Sequence, residues 1–138
     1  MENKLKRPIS VNDSGMIQDD LIHDSEIIGF KNHKNGIIEV DLISVTNVKL
    51  QLLLQGVTHL LCNSFMLQNI ILDVFLIEGD EAKKNIQENS KLFYISDAQL
   101  FLLKSKIDKK EILFFQIAPS IGFEVFAICK SVELFEVS

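Results

Sequence analysis

The 138-residue sequence has no tryptophan, two prolines, six glycines and two cysteines. Each scarcity removes a class of protein. The cysteines, Cys62 and Cys129, both sit inside apolar runs. That is the pattern of buried, reduced thiols, not of a disulfide framework. With so little glycine there is no glycine-rich phosphate loop and no G-x-S-x-G elbow, so no cofactor is expected. Positive charge is also short: 14 Lys and Arg stand against 19 Asp and Glu, a net charge of −5. Such a chain lacks the basic surface that displaces counterions from nucleic acid or docks on an anionic bilayer. No apolar run approaches the roughly 20 residues of a membrane helix. The first 20 residues hold no apolar signal segment. Nucleic acid and membrane are thus not expected as partners, and a cytoplasmic setting is.

What is present is an ordinary globular composition, 47% hydrophobic and 24% charged, at the length of one domain. Residues 1–20 are polar and punctuated by Pro8 and Gly15. They read as an irregular N-terminal arm, with a short strand at 9–11 as an option. Residues 21–138 read as a single β-rich domain. A strand at 26–32 leads into Asn35-Gly36, the strongest short hairpin signal. The strand at 37–45 then alternates, with Ile38, Val40 and Leu42 on one face and Glu39 and Asp41 on the other. After a turn at Thr46-Asn47, residues 48–55 repeat the pattern. These three strands predict an antiparallel meander with one solvated face.

Further strands are expected at 57–62, 68–79, 111–118, 123–129 and 132–137, with a phase shift near Lys130-Ser131. Residues 68–79 are apolar on both faces, which predicts a central strand, with Ile70, Leu72, Val74 and Leu76 on one side. Asp73 interrupts it and needs a partner or an edge position. Residues 78–90 are charged and helix-permissive and predict a short peripheral helix capped by Asp80, with Ala82 and Ile86 its only apolar residues. Residues 96–107 admit either a helix, with Ala98, Phe101, Leu102 and Ser105 on its packed face, or a strand at 99–103. The fold class is α+β and strand-dominated: a mostly antiparallel sheet of seven or eight strands with one or two short helices.

Candidate chemistry is sparse. His59-x-x-Cys62 has the spacing of half a metal site, but residues three apart on a strand face opposite ways, so no metal is expected. His23-Asp24-Ser25 opens the first strand and invites an acid–base reading. Neighbours on an extended chain point apart, so these three are read as a structural turn in which Asp24 and Ser25 bond nearby backbone amides. Glu39 and Asp41 are the solvated face of the meander. No catalytic residue is assigned, and the chain is not expected to be an enzyme.

Several stretches carry a resemblance: "LIHDSEIIGF", "LLLQGVTHLL", "QNIILDV" and "FFQIAPSIGFEVFAICKSVEL". Together they span residues 21–137 and resemble a group of small bacterial proteins. That group opens on Leu/Phe-x-His-Asp-Ser-x-Ile/Leu and has an F-x-G-V-like step, here Leu54-Gln55-Gly56-Val57. Several such groups resemble immunity proteins encoded beside polymorphic or contact-dependent toxins. The resemblance implies a cytosolic protein that neutralises one cognate toxin by direct binding, without catalysis. The acidic balance suits a basic toxin domain. Candidate contacts are Glu78, Asp80, Glu81 and Glu88, with Glu39 and Asp41 as a second patch. The alternative is a non-enzymatic scaffold or self-associating subunit.

Overall fold

The computed structural model describes residues 3–138. The strands are β1 (Lys4–Arg7), β2 (Glu26–Asn32), β3 (Ile38–Ile43), β4 (Lys49–Gln55), β5 (His59–Asn63) and β6 (Ile70–Ile77). Helices α1 (Gly79–Glu88) and α2 (Asp97–Asp108) follow, then β7 (Leu113–Ile121), β8 (Glu124–Cys129) and β9 (Ser131–Val137). The nine strands form one antiparallel sheet in the order β1-β9-β4-β3-β2-β6-β7-β8-β5.

That order curls back on itself. β4 continues into β5 and β8 into β9, so the β4–β9 and β5–β8 ladders are two arms of one bent ribbon. Backbone bonds from Lys130 to Gln55 (2.9 Å) and from Thr58 to Ile128 (3.0 Å) carry pairing through the bend. Gly56 makes the corner at φ +65°, and a Cβ there would lie 2.6 Å from the Lys130 side chain. The phase shift expected near Lys130 is this corner. The hairpin at Asn35-Gly36 forms as expected, both residues at positive φ.

The opposite seam, β2 against β6, has a single ladder pair, Glu26–Ile70. The N-terminal segment pairs with the rest of β6: Leu76 donates to Gly15 and Ile17 to Val74, each at 2.8 Å. Ile17 is buried in the core. The expected irregular arm at residues 1–20 is corrected here over its described part. Residues 4–7 form β1 on the edge of β9, and Val11 makes only an isolated bridge to Ile17. Arg7 locks this segment down, with Nε and Nη2 on Asp19 (3.1 and 3.2 Å) and Nη1 on Glu136 (3.1 Å).

The inner faces of the sheet make the main core, in which Val40, Leu42, Leu52 and Leu54 meet Ile71, Val74, Phe115, Ile117 and Val125. Each such side chain contributes about 1.5–3 kcal/mol by burial. A second core lies outside β6, β7 and β8. There Phe114, Ile77 and Ile128 are covered by Ala82 and Ile86 of α1 and by Leu103 and Ile107 of α2. β7 therefore alternates between two cores, Phe114 outward and Phe115 inward, which explains its unbroken apolar run. Among the described residues, the outer faces of β3, β4 and β9 carry no such helical layer and hold Glu39, Asp41, Lys49 and Glu133.

Both helices differ in detail from expectation. Glu78, not Asp80, is the N-cap of α1, and no side chain caps it. Residues 96–107 are helical: Ser96 accepts from the Gln99 amide and Gln99 reaches back to the Ser96 amide, a full capping box. However, the packed face of α2 is Leu103 and Ile107, while Phe101 (74%) and Leu102 (60%) are exposed. A bulge between Ile71 and Asp73 shifts the phase of β6. Leu72 is thereby turned outward and exposed, away from the core face that Val74 occupies.

Candidate functional site

The bulge in β6 brings His23, Asp24 and Asp73 together. Residues 20–24 form a turn rather than extended chain, and Asp24 has φ +63°. The expectation that His23 and Asp24 point apart fails for that reason. His23 Nε2 lies 3.6 Å from Asp24 and Nδ1 3.7 Å from Asp73. His23 Nδ1 also lies 2.6 Å from the Leu72 carbonyl, which can only accept, so Nδ1 carries the proton. That bond, aided by Asp24, raises the His23 pKa above its ordinary value; partial desolvation opposes the shift and Asp73 adds to it. Ser25 is fully buried and donates to the Ile22 carbonyl at 2.6 Å, not to an acceptor in this cluster. Its expected bond to a backbone amide is thus replaced by one to a carbonyl. Asp24 enters the turn through its own backbone, whose N–H donates to Ile71 at 2.9 Å. The cluster is an exposed His–Asp pair whose imidazole keeps its Nδ1 proton on the Leu72 carbonyl, and the neighbouring hydroxyl is directed elsewhere.

The second polar group lies on the outer face of β3. Lys4 donates to Gln51 (2.8 Å) and Gln51 to Asp41 (3.3 Å), while His33 meets Glu39 at 3.1 Å. Burial pushes Asp41 above the usual carboxylate range; the Gln51 bond opposes this and the Glu39 carboxylate adds to it. Burial also pushes Glu39 up, but hydrogen bonds from His33 and Asp41 and the charge of Lys31 hold it below that range. These two carboxylates are embedded in basic and amide partners, so they present less free negative charge than their composition suggests.

The remaining acidic candidates are on or beside α1. Asp80 pairs with Lys83 at 3.1 Å, and Lys83 also reaches Asp108 at 2.7 Å. Glu78 and Glu81 line an open cleft of about 860 Å³ between α1 and the loop at Asp13–Gly15. Glu88 borders a separate groove with Lys84, Gln87 and Lys104. In the closed order of the sheet β3 lies across from β7, the strand that α1 covers.

His59 and Cys62 lie on opposite faces of β5. The His59 ring stands edge-on to Phe93, with centroids 6.0 Å apart, while Cys62 packs toward the main core. Burial lowers the His59 pKa, pushes the Cys62 thiol up to about 11 and the Cys129 thiol up to about 12. Among the described residues, no helix is long and apolar enough to cross a membrane.

One feature was not anticipated as a site. The loop between β5 and β6 carries Phe65 (67% exposed), Met66 (55%) and Leu67 (107%) in succession. Three consecutive exposed apolar residues are costly to solubility and are retained where they serve binding. The loop is clamped from beneath by Asn69, which is 2% exposed. Asn69 Oδ1 accepts from the Met66 amide (2.9 Å) and the Phe123 amide (3.1 Å), and Nδ2 donates to the Met66 carbonyl (2.7 Å). Gly122 makes room for this clamp, since a Cβ there would lie 2.4 Å from Asn69 Oδ1. Phe65 rests edge-on against Phe123 at 5.0 Å, and Phe123 against Phe30 at 5.4 Å. The sequence signal was present in "NSFMLQN": three apolar residues between polar ones, too short for an element of their own. Comparison of the chain with known protein families, with curated proteins and with solved structures found no match.

Proposed function

We propose that this chain is a non-catalytic binding domain of the immunity type, which neutralises a cognate toxin by direct complex formation. The observation that carries the reading is the clamped apolar loop. Phe65, Met66 and Leu67 are held out by a buried amide, so little ordering entropy is lost when a partner covers them. An aromatic and two flexible aliphatic side chains suit the centre of a protein interface, where such anchors carry most of the binding energy. The net charge of −5 favours a basic protein over an anionic lipid surface. Glu78, Asp80 and Glu81 add acidic surface that speeds capture of a basic domain. Glu39 and Asp41, across the sheet, fall outside that contact. The motif resemblance in residues 21–137 supplies the partner class.

Co-expression with a toxin domain encoded beside this gene tests the proposal. A stable complex and protected cells are expected. The triple variant F65S/M66S/L67S should lose at least about 2 kcal/mol of binding while its melting temperature holds. No complex and no protection would refute the function. A complex indifferent to the triple variant would refute the loop.

A further inference from the structure

The order of the sheet ends in two strands, β1 and β5, each paired on one side only. A strand so placed turns the N–H and C=O of every second residue away from its neighbour, a row that another extended chain can match in full. The two edges are built differently. β1 is Lys4-Leu5-Lys6-Arg7, and its three cations are the usual guard against a foreign strand. β5 is His59-Leu60-Leu61-Cys62-Asn63, with no Lys, Arg, Asp, Glu, Pro or Gly to guard it. Among the described residues, no backbone hydrogen bond joins residues 59–63 to any segment except β8. Leu60 and Cys62 are half-buried against the main core, and Leu61 against the second core.

Both ends of this edge are open to a partner. Just before β5, the Val57 N–H donates to the Gly36 carbonyl at 2.9 Å. Beside that bond a groove of about 670 Å³ lies between the hairpin tip, residues 32–36, and Thr58, His59 and Leu60. Just after β5, the chain enters the clamped apolar loop at Phe65–Leu67. We infer that the cognate partner adds an extended segment to the free edge of β5, running from this groove to the loop. The inference rests on the binding function proposed above and names the part of the partner that is bound. That segment is at least five residues, about 16 Å, long. It is uncharged and apolar on both faces, so that it continues both cores beside Leu60, Leu61 and Cys62. Its main chain supplies affinity and its alternate side chains supply specificity. The rival occupant is a second copy of this chain. Five residues of edge fall well short of the roughly 1,200 Å² of a stable specific interface. A partner that covers the edge and the adjoining loop together gains both contacts.

Hydrogen exchange on the complex with the toxin domain encoded beside this gene tests the inference. Alternate amides of residues 59–63 should exchange quickly in the free chain and at least roughly tenfold more slowly in the complex. Leu61→Lys gives β5 the kind of charge that guards β1, and should weaken the complex at least roughly tenfold. Because Leu61 is half-buried, the melting temperature of that variant is measured first. The exchange result on the unaltered chain stands whether or not the variant folds. A complex that the triple loop variant weakens, but in which every β5 amide keeps its free rate, would overturn the strand addition and leave the binding function standing. Protection of β5 in the free chain that grows with its concentration would assign the edge to a second copy and overturn the inference as well. No complex at all would sink the function and the inference together.

Discussion

At the scale of single residues, the two histidines with resolved shifts move in opposite directions. The Leu72 carbonyl, with help from Asp24, favours the protonated form of His23, which titrates above its ordinary value of about 6.5. His59 is disfavoured as a cation by burial and titrates below it. The stabilising effect of His23 is complete below the unfolded-state pKa and fades as pH rises through the higher folded value. His59 acts in reverse: the unfolded chain takes the proton first, so stability falls as pH drops below about 6.5. Proton NMR of the imidazoles should place the His23 midpoint above that of His59; the opposite order would discard both assignments. The meeting of His23 with Asp24 was not legible from their adjacency, because it depends on a positive φ at Asp24. Asp73 was legible as a residue in need of a partner, and the bulge beside it brings it to His23.

At the scale of elements, local signals were clearest where chemistry and geometry coincide. Asn35-Gly36 marks its hairpin, and Ser96 with Gln99 marks the start of α2. Alternation in β3 and β4 names the faces correctly, although Gln51 is buried beneath Lys4 and beside Asp41 rather than solvated. The face of α2 was misread because apolar residues lie on both of its sides, so spacing alone does not say which one packs. The loop between β5 and β6 owes its shape to one residue. Asn69→Ala should cost about 2–4 kcal/mol, since it strands the amides of Met66 and Phe123 and the carbonyl of Met66 in a buried site. Chemical denaturation measures that loss. Hydrogen exchange should show both amides deprotected; unchanged protection would mean that the clamp is not what orders the loop.

At the scale of the whole molecule, the strand-dominated antiparallel class was legible, but closure of the sheet was not. β1 reads Lys-Leu-Lys-Arg, polar enough to pass for a loop, and only the open edge of β9 makes it a strand. Residues 15–17 likewise owe their order to the stretch of β6 that β2 leaves unpaired. Such pairings join positions so distant that no local pattern announces them. Arg7 ties both closures together through Asp19 and Glu136. Arg7→Ala should therefore lower stability by about 1–2 kcal/mol, more than an isolated surface pair yields. A melting temperature unchanged from the parent would show that the N-terminal segment is held by its backbone pairing alone.

The contact between Arg7 and Glu136 spans 129 positions, and Asn3 and Ser138 exchange backbone hydrogen bonds at 3.1 and 2.9 Å. A ribosome delivers the first of these partners long before the second. Until β9 emerges, residues 4–7 have no strand to join, and β4 lacks one neighbour. Folding of this sheet is thus coupled to the emergence of β9, and a product cut short before it keeps adhesive strand edges exposed. In the cell such fragments are substrates for chaperones and proteases, whereas pairing with β9 covers the edges of β1 and β4.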